Sequence, residues 1–118
     1  MGLILTARSD LAPGEREAFL VVDELMRVRA VSKEAEKLLS TAETEAVNHH
    51  VGDFLIPVEG TAEKATRLAG VIAAVSRLDA PMERAVLRPR DAFGVRFGVR
   101  IGACSPGPAA ILVLAERL

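Results

Sequence analysis

Tryptophan and tyrosine are missing and phenylalanine occurs only four times in 118 residues. Side chains that stack on bases or bury a large planar cofactor are therefore scarce. A lone cysteine, Cys104, excludes an internal disulfide and a thiolate zinc cluster and fits a reducing, cytoplasmic setting. The longest apolar run, Ala109 to Ala115, is far too short to cross a bilayer, and no charged start followed by an apolar stretch marks a secretory signal. Fifteen Lys and Arg face sixteen Asp and Glu, a formal charge of −1. Without a basic excess, neither nucleic acid nor an anionic membrane is an expected partner. No internal repeat, Gly-rich phosphate loop, hydrolase elbow or zinc-protease motif occurs, so no enzyme is indicated. What is present, 50% apolar and 26% charged residues, is the balance of one globular domain.

Pro13-Gly14, Pro57, Gly60, Pro81, Pro89 and Ser105-Pro106-Gly107-Pro108 punctuate the chain. Residues 1–18 read as an N-terminal cap segment, with an apolar start and a short helix opening near Pro13. Phe19-Leu20-Val21-Val22, stopped by Asp23-Glu24 and followed by the alternating Arg27-Val28-Arg29-Ala30-Val31, reads as a hairpin. Ser32 predicts an N-cap for a short helix in which Ala35, Leu38 and Leu39 share a face. Ser40-Thr41-Ala42-Glu43 has capping-box spacing and predicts a second short helix ending near Asn48, a residue that tolerates the left-handed conformation. Val51, Phe54 and Leu55 form an apolar knot before Pro57. From Thr61, a candidate N-cap, Ala65, Leu68, Ile72 and Val75 recur at helical spacing up to Ser76 and predict the longest helix.

Strand patterns take over after Pro81, first Glu83 to Arg88. Phe93, Val95, Phe97, Val99, Ile101 and Ala103 then alternate with Gly94, Arg96, Gly98, Arg100, Gly102 and Cys104, which predicts a half-buried antiparallel strand. Ala109 to Ala115 is apolar on both faces, as a central strand is, and Glu116-Arg117 marks its solvated end. Two strands, short helices, one longer helix and three strands make an α+β layer structure, an antiparallel sheet with its helices on one face.

This order resembles a PAS domain over roughly residues 19 to 117. Phe19 to Glu24 followed by Arg27 to Ser32 looks like the family's opening, a strand ending in an acidic turn and a second strand leading into a helix. Ala46-Val47-Asn48-His49-His50-Val51-Gly52-Asp53-Phe54-Leu55 is similar to the segment before the family's long helix, with Asn48 where Gly is usual. The motifs are a rhythm more than a fingerprint, so agreement across levels carries the resemblance. It implies a PAS-like domain over residues 19–118: a five-stranded antiparallel sheet with short helices and one longer helix packed on one face, cupping a small pocket. Such domains sense ligands or dimerise in regulatory proteins. Flavin members place a reactive Cys in the segment matching Asn48 to Leu55, where this chain has none, so flavin photochemistry is excluded. Haem members ligate iron through a His on the long helix; Ala62 to Ser76 lacks one, which disfavours haem, and no cofactor is expected.

The expected pocket residues are Phe54, Ala65, Leu68, Ile72, Phe97, Val99, Leu112 and Leu114, whose apolar character calls for a small, mostly apolar effector. Core packing is the alternative meaning of the same set. His49, His50 and Asp53 are metal-ligand types, yet adjacent His side chains diverge on a helix, so a solvated or pH-responsive role is expected and no metal site. Cys104 reads as a small packing residue. Gly94, Gly98 and Gly102, interleaved with Arg96 and Arg100, form a flat strip. With Arg84 and Arg88 alongside, it is either a solvated basic face or a docking surface for the N-terminal cap, a second subunit or an output helix, with Glu15 and Glu17 as ion partners. Leu3, Ile4 and Leu5 would be exposed at the chain end unless they pack on something, which points to a homodimer through the cap and this strip. Two functions follow: a sensory PAS domain that binds an effector, or a ligand-free PAS module serving only dimerisation or partner contact.

Overall fold

The computed structural model describes residues 6–7, 17–58, 62–77, 83–92, 94–105 and 108–117. The strands are β1 (Thr6–Ala7), β2 (Phe19–Asp23), β3 (Val28–Val31), β4 (Leu55–Pro57), β5 (Glu83–Pro89), β6 (Phe97–Ser105) and β7 (Ala109–Arg117); the helices are α1 (Lys33–Leu39), α2 (Glu43–Ala46) and α3 (Ala62–Ser76). All pairings are antiparallel, in the order β3-β2-β7-β6-β5-β4, and β1 pairs with the end of β6 through Thr6 to Ser105 and Ala7 to Cys104. The five strands expected from the sequence are thus contiguous, and β4 and β1 extend the sheet.

Asp23 shapes the first hairpin. Its Oδ1 accepts from the Leu25 and Arg27 amides at 2.9 and 3.0 Å, while Met26 takes a left-handed φ of 68° to close the turn. Ser32 then ties hairpin to helix, because its Oγ accepts from Ala35 N at 3.2 Å and from Phe19 N at 2.9 Å. On α1, Ala35 is buried and Leu39 packs against the core, whereas Leu38 is exposed. A helix this short turns only one side to the sheet, and Leu38 lies past its margin.

The capping-box expectation is corrected. Ser40 is the C-cap of α1 in the left-handed conformation, φ 52°, and α2 begins at Glu43 with Ala42 as an N-cap that makes no side-chain bond. The Glu43 carboxylate instead accepts from the Val31 amide at 2.8 Å, and its own amide donates to the Glu36 carboxylate. A strand-edge amide outcompeted the helix terminus for this carboxylate. Asn48 does adopt positive φ, 73°. The candidate N-cap Thr61 lies outside the described residues.

Two apolar layers flank the sheet. On the helical side Leu20, Val22, Leu87, Phe97, Val99, Ile101, Leu112 and Leu114 pack beneath Ile72 and Val75 of α3. On the other side Val21, Ala30, Cys104, Ala109, Ile111 and Val113 form a second buried cluster with Phe19 against it. Strand β7 supplies both layers by alternation, which is why Ala109 to Leu114 are all buried. The alternating segment expected to start at Phe93 becomes strand only at Phe97; Phe93 is outside the described residues, and Val95 packs against the core from the preceding turn.

Candidate functional site

Strand β4 is short and pairs with β5 only through Leu55 to Pro89, Ile56 to Arg88 and Pro57 to Leu87. The last bond along this edge runs from Val58 N to Val86 O at 3.4 Å. The strand itself ends at Pro57. Glu83 to Ala85 therefore extend beyond β4, beside α3. Between them lies a groove of about 350 Å³, with Leu68, Val71, Leu87 and Ile101 among its apolar lining residues. Lys64 and Arg67 of α3 and Glu83 and Arg84 of β5 also line it.

Of the eight residues expected around a pocket, Leu68 lines this groove. Ile72, Phe97, Val99, Leu112 and Leu114 are buried in the core one step further in. Phe54 packs against that core from the turn before β4, and Ala65 is exposed on α3. Apolar spacing on α3 identified the side facing β6 and β7; the groove sits along the adjoining strip, where Arg67, Leu68 and Val71 face β5. The signal that reaches it is the recurrence of Lys64, Arg67, Leu68 and Val71 at three- and four-residue spacing, a half-charged, half-apolar strip beside the core stripe.

The glycine strip is uneven. Gly94 is exposed with open space where a Cβ would stand, Arg96 is exposed, Gly98 is half-buried and Gly102 is buried. Arg84 pairs with Arg100 across the ladder, so both residues belong to the same sheet face. Arg100 meets Glu17 at 3.3 Å, an ion pair between β6 and the residue two before β2. Arg88 is buried, and its Nη1 donates to the carbonyls of Pro89 and Arg90 at 3.2 and 3.0 Å. Leu3, Ile4, Leu5 and Glu15 lie outside the described residues.

His49 and His50 are both exposed, and the His50 Nδ1 accepts from the Gly52 amide at 2.9 Å, capping the 3-10 turn Val51–Asp53. Among the described residues no group of three or more His, Cys, Asp or Glu side chains is placed to hold a metal ion. Burial pushes the Cys104 thiol up from its ordinary range, so the thiolate needed for nucleophilic chemistry is disfavoured. Among the described residues no helix is long and apolar enough to cross a membrane.

No family model matches the sequence, and no curated protein matches it. Solved structures do match the fold. The PAS domain of the quorum-sensing receptor RpfR from Cronobacter turicensis, in complex with BDSF, superposes with a TM-score of 0.64 at 10% identity, covering 87% of this chain and 94% of that one. The same receptor domain in complex with C12:0 gives 0.59 at 14% identity over 87% and 94% of the two chains. The PAS domain of an HTR-like protein from Haloarcula marismortui gives 0.55 at 12% identity over 86% and 81%. Strand order, the helices between β3 and β5 and these superpositions agree that the chain has the PAS fold.

Proposed function

We propose that this chain is a sensory, regulatory PAS domain that binds a small, mostly apolar effector and relays its presence through dimer or partner contacts. The groove between α3 and the end of β5 is the observation that carries the reading. Its volume, about 350 Å³, falls at the small end of the ~300–1,000 Å³ usual for ligand sites. Fold similarity to a ligand-bound receptor domain supports the same role. A binding module, rather than an enzyme, suits a chain whose lone thiol is buried and whose two His side chains are exposed. A cytoplasmic setting and the absence of a cofactor belong to the same proposal.

The relay surface we assign to the sheet face around Gly98, Arg100 and Gly102, with Gly94, Arg96 and the N-terminal Leu3, Ile4 and Leu5. Support comes from β1, which pairs with β6 beside this strip, and from the Glu17 to Arg100 ion pair. Burying apolar side chains is worth ~1.5–3 kcal/mol each, against at most ~1 kcal/mol for an exposed ion pair, so association is expected to be insensitive to salt.

Native mass spectrometry of freshly purified protein tests effector binding. A stoichiometric small-molecule adduct lost on mild activation is expected; a bare chain from every expression host favours the ligand-free module. For the relay, sedimentation should show a dimer at micromolar concentration that becomes a monomer when residues 2–12 are deleted. A full-length chain that sediments as a monomer contradicts it.

A further inference from the structure

Helix α3 lies over β6 and β7, and the inward row of the outer strand β5 runs along its flank. That row is Glu83, Ala85 and Leu87, set opposite Ile101, Val99 and Phe97 of β6 in the ladder and therefore on the helical side of the sheet. Leu87 fills its place and is buried, Glu83 is exposed at the outer end, and between them stands Ala85, the smallest side chain among the described residues that line the groove. The recess opens where this one-carbon side chain interrupts a row of large ones beside Leu68 and Val71. Resting on the effector reading above, we infer that Ala85 is the specificity-determining residue of the groove and that the occupant is a slender aliphatic chain laid across it. The chain lies between Leu68 and Val71 of α3 and Leu87 and Ile101 of the sheet.

Protein interiors are filled nearly as densely as organic crystals, so room beside a core comes from a side chain too short to fill it. The other apolar walls are aliphatic as well. None of the described phenylalanines lines the groove: Phe19 packs on the opposite sheet face, Phe54 against the core before β4, and Phe97 within it. A planar aromatic ligand would therefore meet no ring for offset or edge-to-face stacking, whereas a flexible chain can follow the aliphatic walls. At ~30 Å³ for a water-sized group, a recess of about 350 Å³ holds roughly a dozen such groups, which limits the ligand to one short chain. A larger residue at position 85 would occupy the ligand's own space, so bulk there selects among effectors by the shape of their apolar part.

Two measurements on the intact chain test this, and the first needs no ligand. Ala85→Leu should keep its thermal midpoint within about 2 °C of the unmodified chain, because the added carbons enter the recess. Ala110→Leu, at a fully buried position in β7, should instead lower the midpoint by about 4 °C or more. The second measurement is calorimetric titration with decanoate and naphthoate, which share a carboxylate and differ in the apolar part. Decanoate should bind at least about tenfold more tightly than naphthoate, and Ala85→Leu should weaken decanoate about tenfold. An Ala85→Leu midpoint that falls as far as that of Ala110→Leu means that the space is already filled and overturns the inference. So does an Ala85→Leu variant that binds decanoate as the unmodified chain does. Naphthoate binding as tight as that of decanoate overturns the aliphatic occupant, as does failure of the unmodified chain to bind either probe, while the mass-spectrometric experiment decides the effector reading independently.

Discussion

The two edges of the sheet solve the same problem in opposite ways. At the β3 edge three outward backbone groups find partners. Val28 N donates to His49 O at 2.8 Å, Asn48 N donates to Val28 O at 2.9 Å, and Val31 N reaches the Glu43 carboxylate at 2.8 Å. An Arg27 to His50 bridge closes the corner. At the other end β4 stops at Pro57, and the start of β5 borders a recess with cations on its rim. An edge strand left bare invites unwanted pairing, so proteins cover it or put it to use. Here one edge is sealed by the segment after α2 and the other borders the groove proposed as the ligand site, so the proposal separates the stability of the sheet from recognition.

Damage to the interior strand β7 should undermine both edges at once. Leu112 is fully buried on β7, and Leu112→Asp would desolvate a carboxylate without a partner. A loss of several kcal/mol is expected, on the order of the ~5–15 kcal/mol that holds a domain together, so the variant should be insoluble or show no cooperative thermal transition. A normally folded variant would contradict the central placement of β7.

A smaller change separates the edges. Glu43→Ala leaves the Val31 amide without its acceptor at the sealed edge and should cost about 1–2 kcal/mol in urea unfolding, with decanoate affinity unchanged. Val71→Trp acts on the other edge. The ring enters the groove instead of filled core, so stability should move by less than ~1 kcal/mol while decanoate binding falls about tenfold or more. Each variant that moved the other's observable would dissolve the distinction. The smallest effect is expected at the hairpin tip, where the half-exposed Arg29 donates from Nε to Asp23 Oδ2 at 2.9 Å. Arg29→Ala should change stability by no more than ~0.5 kcal/mol, because solvent screens such a pair.

Much of this architecture was readable from the residues, and the exceptions share a cause. Alternation from Phe97 to Cys104, the β-branched run at Val21-Val22 and the Ser32 cap are local signals that the tertiary fold reinforces. Ser40 and Glu43 misled because the Glu43 carboxylate accepts from the Val31 amide at the sheet edge, a partner twelve residues away that spacing within one segment does not reveal. Strand β4 escaped notice because three residues ending in Pro57 carry no period of their own; pairing with β5 makes them a strand. The core residues Ile72, Phe97, Val99 and Leu112 follow from spacing, but spacing does not reveal where close packing ends. The recess exists only where α3 lies beside β5, so its lining residues Arg67 and Val71 are set by tertiary packing.

The proposed function places ligand recognition at the α3 and β5 edge. Amide chemical-shift mapping of the isotopically labelled chain titrated with decanoate tests it most directly. The expected result is saturable shifts at Arg67 to Val71 and Glu83 to Leu87, with Val28 to Val31 unmoved. Shifts concentrated at the β3 edge, or on the opposite sheet face at Val21, Ile111 and Val113, would remove the α3 and β5 groove as the ligand site.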